Sequence, residues 1–155
     1  MVMKPLTLEN LSLVVRLTPL VSIDLVVRND AQKVLLGLRT NEPAKGTYFV
    51  PGGRIWKDER LENAFGRILK TETGLTLPFS DARFLGVYEH LYETNRFGQP
   101  GYGTHYVVLA YETNVGSISQ VDGDTQHSHY VWFDEGEILR AENVHENTKA
   151  YFRRT

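Results

Sequence analysis

The stretch GRIWKDERLENAFGRILKTETGL, residues 53–75, decides the fold. Leu61, Ala64, Phe65, Ile68 and Leu69 fall at helical spacing and make one apolar stripe, so the segment reads as an amphipathic helix laid on a core. Asp58 is placed to cap its start, and Gly74 suits the left-handed position just past its end. With about 100° of turn per residue, Glu72 lands within roughly 20° of Leu61, on that same stripe. A carboxylate on the core side of a helix is costly unless a cation or hydrogen-bond donors meet it. Glu72 is therefore either a ligand-binding group or a side chain reaching out of a frayed last turn. Glu59 reads as a first-turn residue whose charge complements the helix dipole.

Working outward, the N-terminal side begins with a short helical pattern carrying Leu8, Leu11, Val14 and Val15 on one face and closing before Pro19. Val21, Ile23, Leu25 and Val27 then recur at the period of a strand, and residues 33–39 return as a second strand after the Asn29-Asp30 turn. A loop over 40–46 leads to a short strand over 47–50 and the Pro51-Gly52-Gly53 turn. On the C-terminal side, strand-like runs cover 83–92, 106–112 and 130–133, and helices are expected over 134–141 and 144–154. Strands and helices mix without regular βαβ alternation, so the expected class is α+β, an α/β/α sandwich around a mixed sheet. No repeat or linker interrupts the pattern, so residues 1–155 are expected to form a single domain, with 1–17 as an N-terminal extension.

Composition narrows the function. The 155 residues are 41% hydrophobic and 23% charged, too apolar for a disordered chain and enough for one packed core. The net charge of −2 gives no electrostatic footprint for a nucleic acid or an anionic membrane, so neither is expected as a partner. With no Cys there is no disulfide framework, thiol nucleophile or thiolate metal site. No leader-like segment opens the chain and no run reaches membrane-spanning length, so a cytoplasmic location is expected.

The spacing of Gly53, Glu59, Arg67, Leu69, Glu72, Gly74 and Leu75 resembles the signature box of the Nudix hydrolases, a loop-helix-loop whose glutamates hold divalent cations against a nucleoside diphosphate linked to another group. Two glutamates of that box are replaced: Ile68 stands directly after the arginine and Thr71 just before Glu72. The flanking runs Arg39-Thr40-Asn41-Glu42-Pro43, Phe49-Val50-Pro51-Gly52-Gly53-Arg54, Thr104-His105-Tyr106-Val107-Val108-Leu109 and Asn143-Val144-His145 resemble the GDP-mannose mannosyl hydrolase branch, which has such a reduced box. The resemblance extends from about Thr18 to Phe152.

That resemblance implies a Nudix fold and hydrolysis of GDP-mannose, with GDP-glucose as a further substrate, to GDP and free sugar by water attack at the anomeric carbon with inversion. It implies one Mg²⁺ per site, with Mn²⁺ able to substitute, held by Glu72, the Gly52 carbonyl and Gln126. His127 matches the general base, and Arg39 and Arg54 match arginines that steady the departing diphosphate. Asp24, His90 and Tyr106 match positions that bind the sugar nucleotide, and Arg67 matches a supporting position. A homodimer is implied as well.

The chemistry is self-consistent. A diphosphate neutralised by a divalent ion and arginines departs without being protonated, so metal and arginines take the place of a glycosidase's acid and only a base is needed. A histidine, with an ordinary pKa of about 6.5, accepts a proton near neutral pH. The residues alone leave alternatives. His129, two positions on, is a second candidate base, and Glu89, Glu93 and Asp124 could supply carboxylates to a conventional Nudix pyrophosphohydrolase that attacks phosphorus. A depleted box also suits a non-catalytic module that binds a sugar nucleotide. Asp24, interrupting an apolar strand, faces either a groove or a capped carbonyl; His145 and Lys149 read as solvated, and Trp56 and Trp132 as packing or rim residues.

Overall fold

The computed structural model describes residues 5–117, 121 and 127–154. Helix α1 (Leu8–Leu17) leads into strand β1 (Leu20–Arg28), followed by β2 (Val34–Arg39), β3 (Tyr48–Phe49) and β4 (Gly52–Arg54). Helix α2 (Leu61–Thr73) comes next, then β5 (Arg83–Tyr92), β6 (Thr104–Asn114), β7 (His127–Phe133), α3 (Glu135–Arg140) and α4 (Glu146–Lys149). The strands form one mixed sheet in the order β3-β2-β1-β6-β5, with β4 paired to β1 and β7 to β2. The β1–β6 pair is parallel and the other pairs are antiparallel, which is the expected α+β architecture.

Alternation along β1 divides the core in two. Ile23, Leu25 and Val27 point to one face and meet Phe65, Ile68 and Leu69 of α2. Val26 points to the other face, where Leu36, Phe49, Ile138 of α3, Val144 and Phe152 form a second cluster. The apolar stripe read from the sequence is therefore the buried face of α2, although Leu61 at its first turn is 41% exposed and lies at the edge of the contact. Gly74 ends the helix with φ of 76°, a backbone position that favours glycine.

Three local expectations need correction. Asp58 does not cap α2: the chain turns through a left-handed position there, φ 65°, and the helix starts two residues later with Arg60 as its N-cap. Glu59 consequently precedes the helix instead of lying in its first turn. The final helix is confined to Glu146–Lys149, capped by the His145 side chain, which accepts from the Asn147 amide at 3.0 Å. Asp134 does cap α3, in a capping box with Glu137.

Candidate active site

A cleft opens on the Val26 side of the sheet, with the even-numbered residues Leu20, Ser22 and Asp24 of β1 along its floor. Register sets the order of its walls: Arg54 pairs with Ser22 and Gly52 with Asp24 on one side, while Tyr106 of β6 pairs with Leu20 on the other. Arg39, at the end of β2, and His90, on β5 across from Tyr106, complete a lining that contains Asp24, Arg39, Gly52, Arg54, His90 and Tyr106 together. Six of the residues singled out in the sequence thus share one concavity.

Asp24 is the cleft's buried acid, 7% exposed, and its Oδ2 accepts a hydrogen bond from the Tyr151 hydroxyl at 2.5 Å. Loss of water around its carboxyl raises its pKa to about 7, outweighing the Tyr151 hydrogen bond and the attraction of Arg39. The Gly52 backbone lies against the other oxygen, since a Cβ there would collide with Asp24 Oδ1. Asp24 therefore faces a groove, not a capped carbonyl. His90 is 4% exposed, and burial, helped by nearby His145, pushes its pKa down to about 4, so its ring is neutral at physiological pH. The Tyr151 hydroxyl also lies 3.4 Å from His90 Nε2 and links the two groups.

The cleft carries a set of guanidinium groups. Arg39 donates through Nε to the Pro43 carbonyl at 2.9 Å. Arg54 is partly buried, and burial together with the neighbouring Arg67 lowers its pKa. Arg96, in the turn between β5 and β6, joins Arg39 and Arg54 in the lining. With His90 neutral and the Asp24 carboxyl titrating near neutrality, the three arginines outnumber the carboxylates Asp24 and Glu42 in the lining and leave the cleft net cationic, suited to a diphosphate.

Arg67 lies outside the lining but builds it. Its Nε and Nη2 donate to the two Glu59 oxygens at 2.7 and 2.9 Å, and Nη2 also donates to the Arg54 carbonyl at 2.8 Å. The Trp56 amide donates to Glu59 Oε2 at 2.9 Å, and the Arg67 guanidinium stacks 3.8 Å from the Trp56 ring centroid. Glu59 is thus consumed in holding the loop, and Trp56 packs against the cation.

Glu72 is 4% exposed on the core side of α2 and is absent from the cleft lining. One turn earlier, Ile68 packs so closely under Gly53 that a Cβ on that glycine would lie 3.2 Å from it. Ile68, one turn before Glu72 on the same helix face, thus packs against strand β4 at Gly53, where the sequence pattern predicts a turn. Ile68 is 1% exposed within the apolar core and Thr71 is exposed, so neither substituted box position supplies a carboxylate. Among the described residues no group of three or more His, Cys, Asp or Glu could hold a metal. A buried carboxylate such as Glu72 has the chemistry of a ligand to a single hard cation that takes most of its about six oxygens from water and phosphate.

Gln126 lies outside the described residues. His127 begins β7, and its backbone pairs with that of Arg39 at the end of β2. His129 has its Nε2 2.8 Å from the Tyr48 hydroxyl. His145 and Lys149 are not solvated: the His145 ring packs 5.3 Å from the Phe49 ring, and Lys149 is 8% exposed while paired with Glu146. Arg96 and Tyr151 had no signal in the sequence. Arg96 sits in a Gly- and Pro-containing loop where a surface cation is ordinary, and Tyr151 reads as one more apolar contact of the last segment.

Comparison with known proteins agrees with this fold. The NUDIX domain family matches residues 18–154. The chain is 40% identical to the low-salt glycan biosynthesis protein Agl8 of Haloferax volcanii over 116 residues, 75% of this chain and 71% of that protein. It is 40% identical to an ADP-ribose pyrophosphatase of Methanocaldococcus jannaschii over 72 residues, 46% of this chain and 41% of that one. In fold it is similar to the MutT NUDIX hydrolase from Burkholderia pseudomallei, with a TM-score of 0.70 at 23% identity, covering 87% of this chain and 96% of the other.

Proposed function

The chain belongs to the NUDIX domain family, and we propose that it hydrolyses GDP-mannose, with GDP-glucose as a second substrate, to GDP and free sugar by inverting attack of water at the anomeric carbon. The observation that carries this reading is the fate of the box carboxylates. Glu59 is committed to Arg67, Ile68 is in the core and Thr71 is at the surface, so Glu72 stands as the box's one buried acid outside that pair. A box with so few free carboxylates is poorly equipped to assemble several cations around an attacked phosphorus, whereas one cation on a departing diphosphate asks less of it. The relation to a glycan biosynthesis protein supports a sugar-nucleotide substrate.

In this reading Arg39 and Arg54 bind the diphosphate, with Arg96 as a further cation at the same cleft. Glu72, the Gly52 carbonyl and Gln126 would hold Mg²⁺, or Mn²⁺ in its place, which would supply Lewis-acid neutralisation of the diphosphate and so let GDP leave without protonation. Asp24, aligned by Tyr151, accepts hydrogen bonds from sugar hydroxyls, and neutral His90 offers a further polar contact. His127 takes the proton from the attacking water; its support is the register that seats its backbone beside that of Arg39. The enzyme works as a homodimer, for which the exposed Phe84, Val87 and Leu91 of edge strand β5 provide an apolar surface.

Incubation with GDP-mannose and Mg²⁺, followed by separation of the products, tests the reading. GDP and mannose are expected. GMP with mannose 1-phosphate would identify a pyrophosphohydrolase, and ligand-dependent thermal stabilisation without any product would identify a binding module.

A further inference from the structure

Helix α1 precedes the residues that match the family, 18–154, yet it enters the cleft. Leu11 and Val15 lie in the cleft lining beside Leu20, although most of α1 is open to solvent and Val15 is its one buried residue. The helix is tied to the loop that carries Arg96. Ser12 Oγ is 2.9 Å from the Tyr102 hydroxyl and 3.3 Å from Gln99 Oε1, to which Tyr102 donates at 2.5 Å. That loop is itself rigid: buried Asn95 donates to the carbonyls of Gln99 and Tyr102, both at 2.9 Å, and accepts from the amides of Phe97 and Gln99. The turn bearing Arg96 and the helix bearing Leu11 are therefore one wall, held by hydrogen bonds that the family-matched segment alone does not provide.

The cleft is graded in chemistry along β1. Leu11, Val15 and Leu20 give the lining its aliphatic part, with Tyr106 paired to Leu20; Ser22 meets Arg54, and Asp24 meets Gly52 of β4 and Tyr151. These positions span about 13 Å of extended strand. An elongated ligand with an apolar planar end, an anionic middle and a hydroxyl-rich end matches that order. Hydroxyls seek the acid, phosphates the guanidinium groups, and the flat unsaturated ring the aliphatic surface, where removal from water favours it.

We propose that α1 is a base-recognition element: Leu11 and Val15 cover one face of the nucleobase of a nucleoside diphosphate whose phosphates lie on the arginines. The assignment rests on the sugar-nucleotide reading for the orientation of the ligand, but not on which bond is cleaved. Affinity falls when the apolar wall is cut back, and it falls only for ligands that carry a base.

Calorimetric titration of GDP, inorganic pyrophosphate and mannose 1-phosphate into the wild-type protein, Leu11→Ala and Leu13→Ala tests this. Leu11 is half-buried, so its truncation leaves the fold intact, and Leu13, 46% exposed and outside the cleft lining, is the control on the same helix. Leu11→Ala is expected to weaken GDP about 5- to 20-fold and leave pyrophosphate and mannose 1-phosphate unchanged, with Leu13→Ala like wild type throughout. Equal effects on GDP and pyrophosphate, no effect on GDP, or a loss confined to mannose 1-phosphate would each overturn the assignment, as would failure of GDP to bind the wild type. Failure of the functional reading shows elsewhere, in GMP among the products, and leaves these affinities standing.

Discussion

Arg67 grips both carboxylate oxygens of Glu59, at 2.7 and 2.9 Å, across the loop that precedes α2, with the Glu59 side chain 1% exposed. This pair converts a box acid into a structural strut and fixes the Arg54 carbonyl through the same guanidinium. The Arg67 hydrogen bonds hold the Glu59 carboxyl below its ordinary range. Its stabilisation is therefore complete above about pH 4.3, the value in an unfolded chain, and is lost as pH falls through the lower folded value. Glu59→Gln should cost about 1–3 kcal/mol in urea unfolding at pH 7, with the difference from wild type shrinking below pH 4. An unchanged midpoint at pH 7 would show that the strut carries no weight.

Asp24 behaves in the opposite sense. Its folded pKa of about 7 lies above the unfolded value of about 4, so the protein without ligand is most favoured with Asp24 protonated. That contribution is fully present below about pH 4 and lost as pH rises through about 7. Asp24→Asn should flatten the fall in thermal midpoint across this window and be more stable than wild type at pH 8, by about 2–4 kcal/mol. Turnover of GDP-mannose should drop sharply in the same variant. Parallel melting curves for the two proteins from pH 4 to 8 would contradict the burial of a charged group here.

His127→Gln should lower kcat by about 10²–10⁴-fold with KM nearly unchanged, as expected when a base is removed and binding is not. His129→Gln should act mildly, since His129 already meets the Tyr48 hydroxyl at 2.8 Å. Steady-state kinetics of the two variants decide between them, and a near-normal rate for His127→Gln with a large loss for His129→Gln would reverse the assignment.

Arg96→Ala should raise KM for GDP-mannose about 5- to 20-fold, because one of the cleft's cations is removed. The loss should lessen as salt is added, since Arg96 is exposed and its attraction for phosphate is screened. A KM equal to that of wild type at low ionic strength would place Arg96 outside the diphosphate's reach.

Much of this was legible before any coordinate. The stripe at Ala64, Phe65, Ile68 and Leu69 has one helical solution, and β5 spans the same residues, 83–92, that its pattern predicted. The misplaced start of α2 came from residue type alone: Asp58 is a good cap by composition, but capping depends on backbone dihedrals, and the chain is left-handed there. The Tyr151–Asp24 contact joins residues 127 positions apart, and nothing in either neighbourhood announces it. Arg96 enters the cleft because Asn95 folds its loop back, a consequence of one buried amide making four hydrogen bonds. Periodicity reports which face a residue takes within an element; which distant side chains then share a cleft is decided by register and loop closure.

The central claim is that water attacks carbon. Hydrolysis of GDP-mannose in ¹⁸O-labelled water, with mass analysis of both products, tests it most directly. The account predicts the label in mannose and none in GDP; label in a phosphate-bearing product would contradict it.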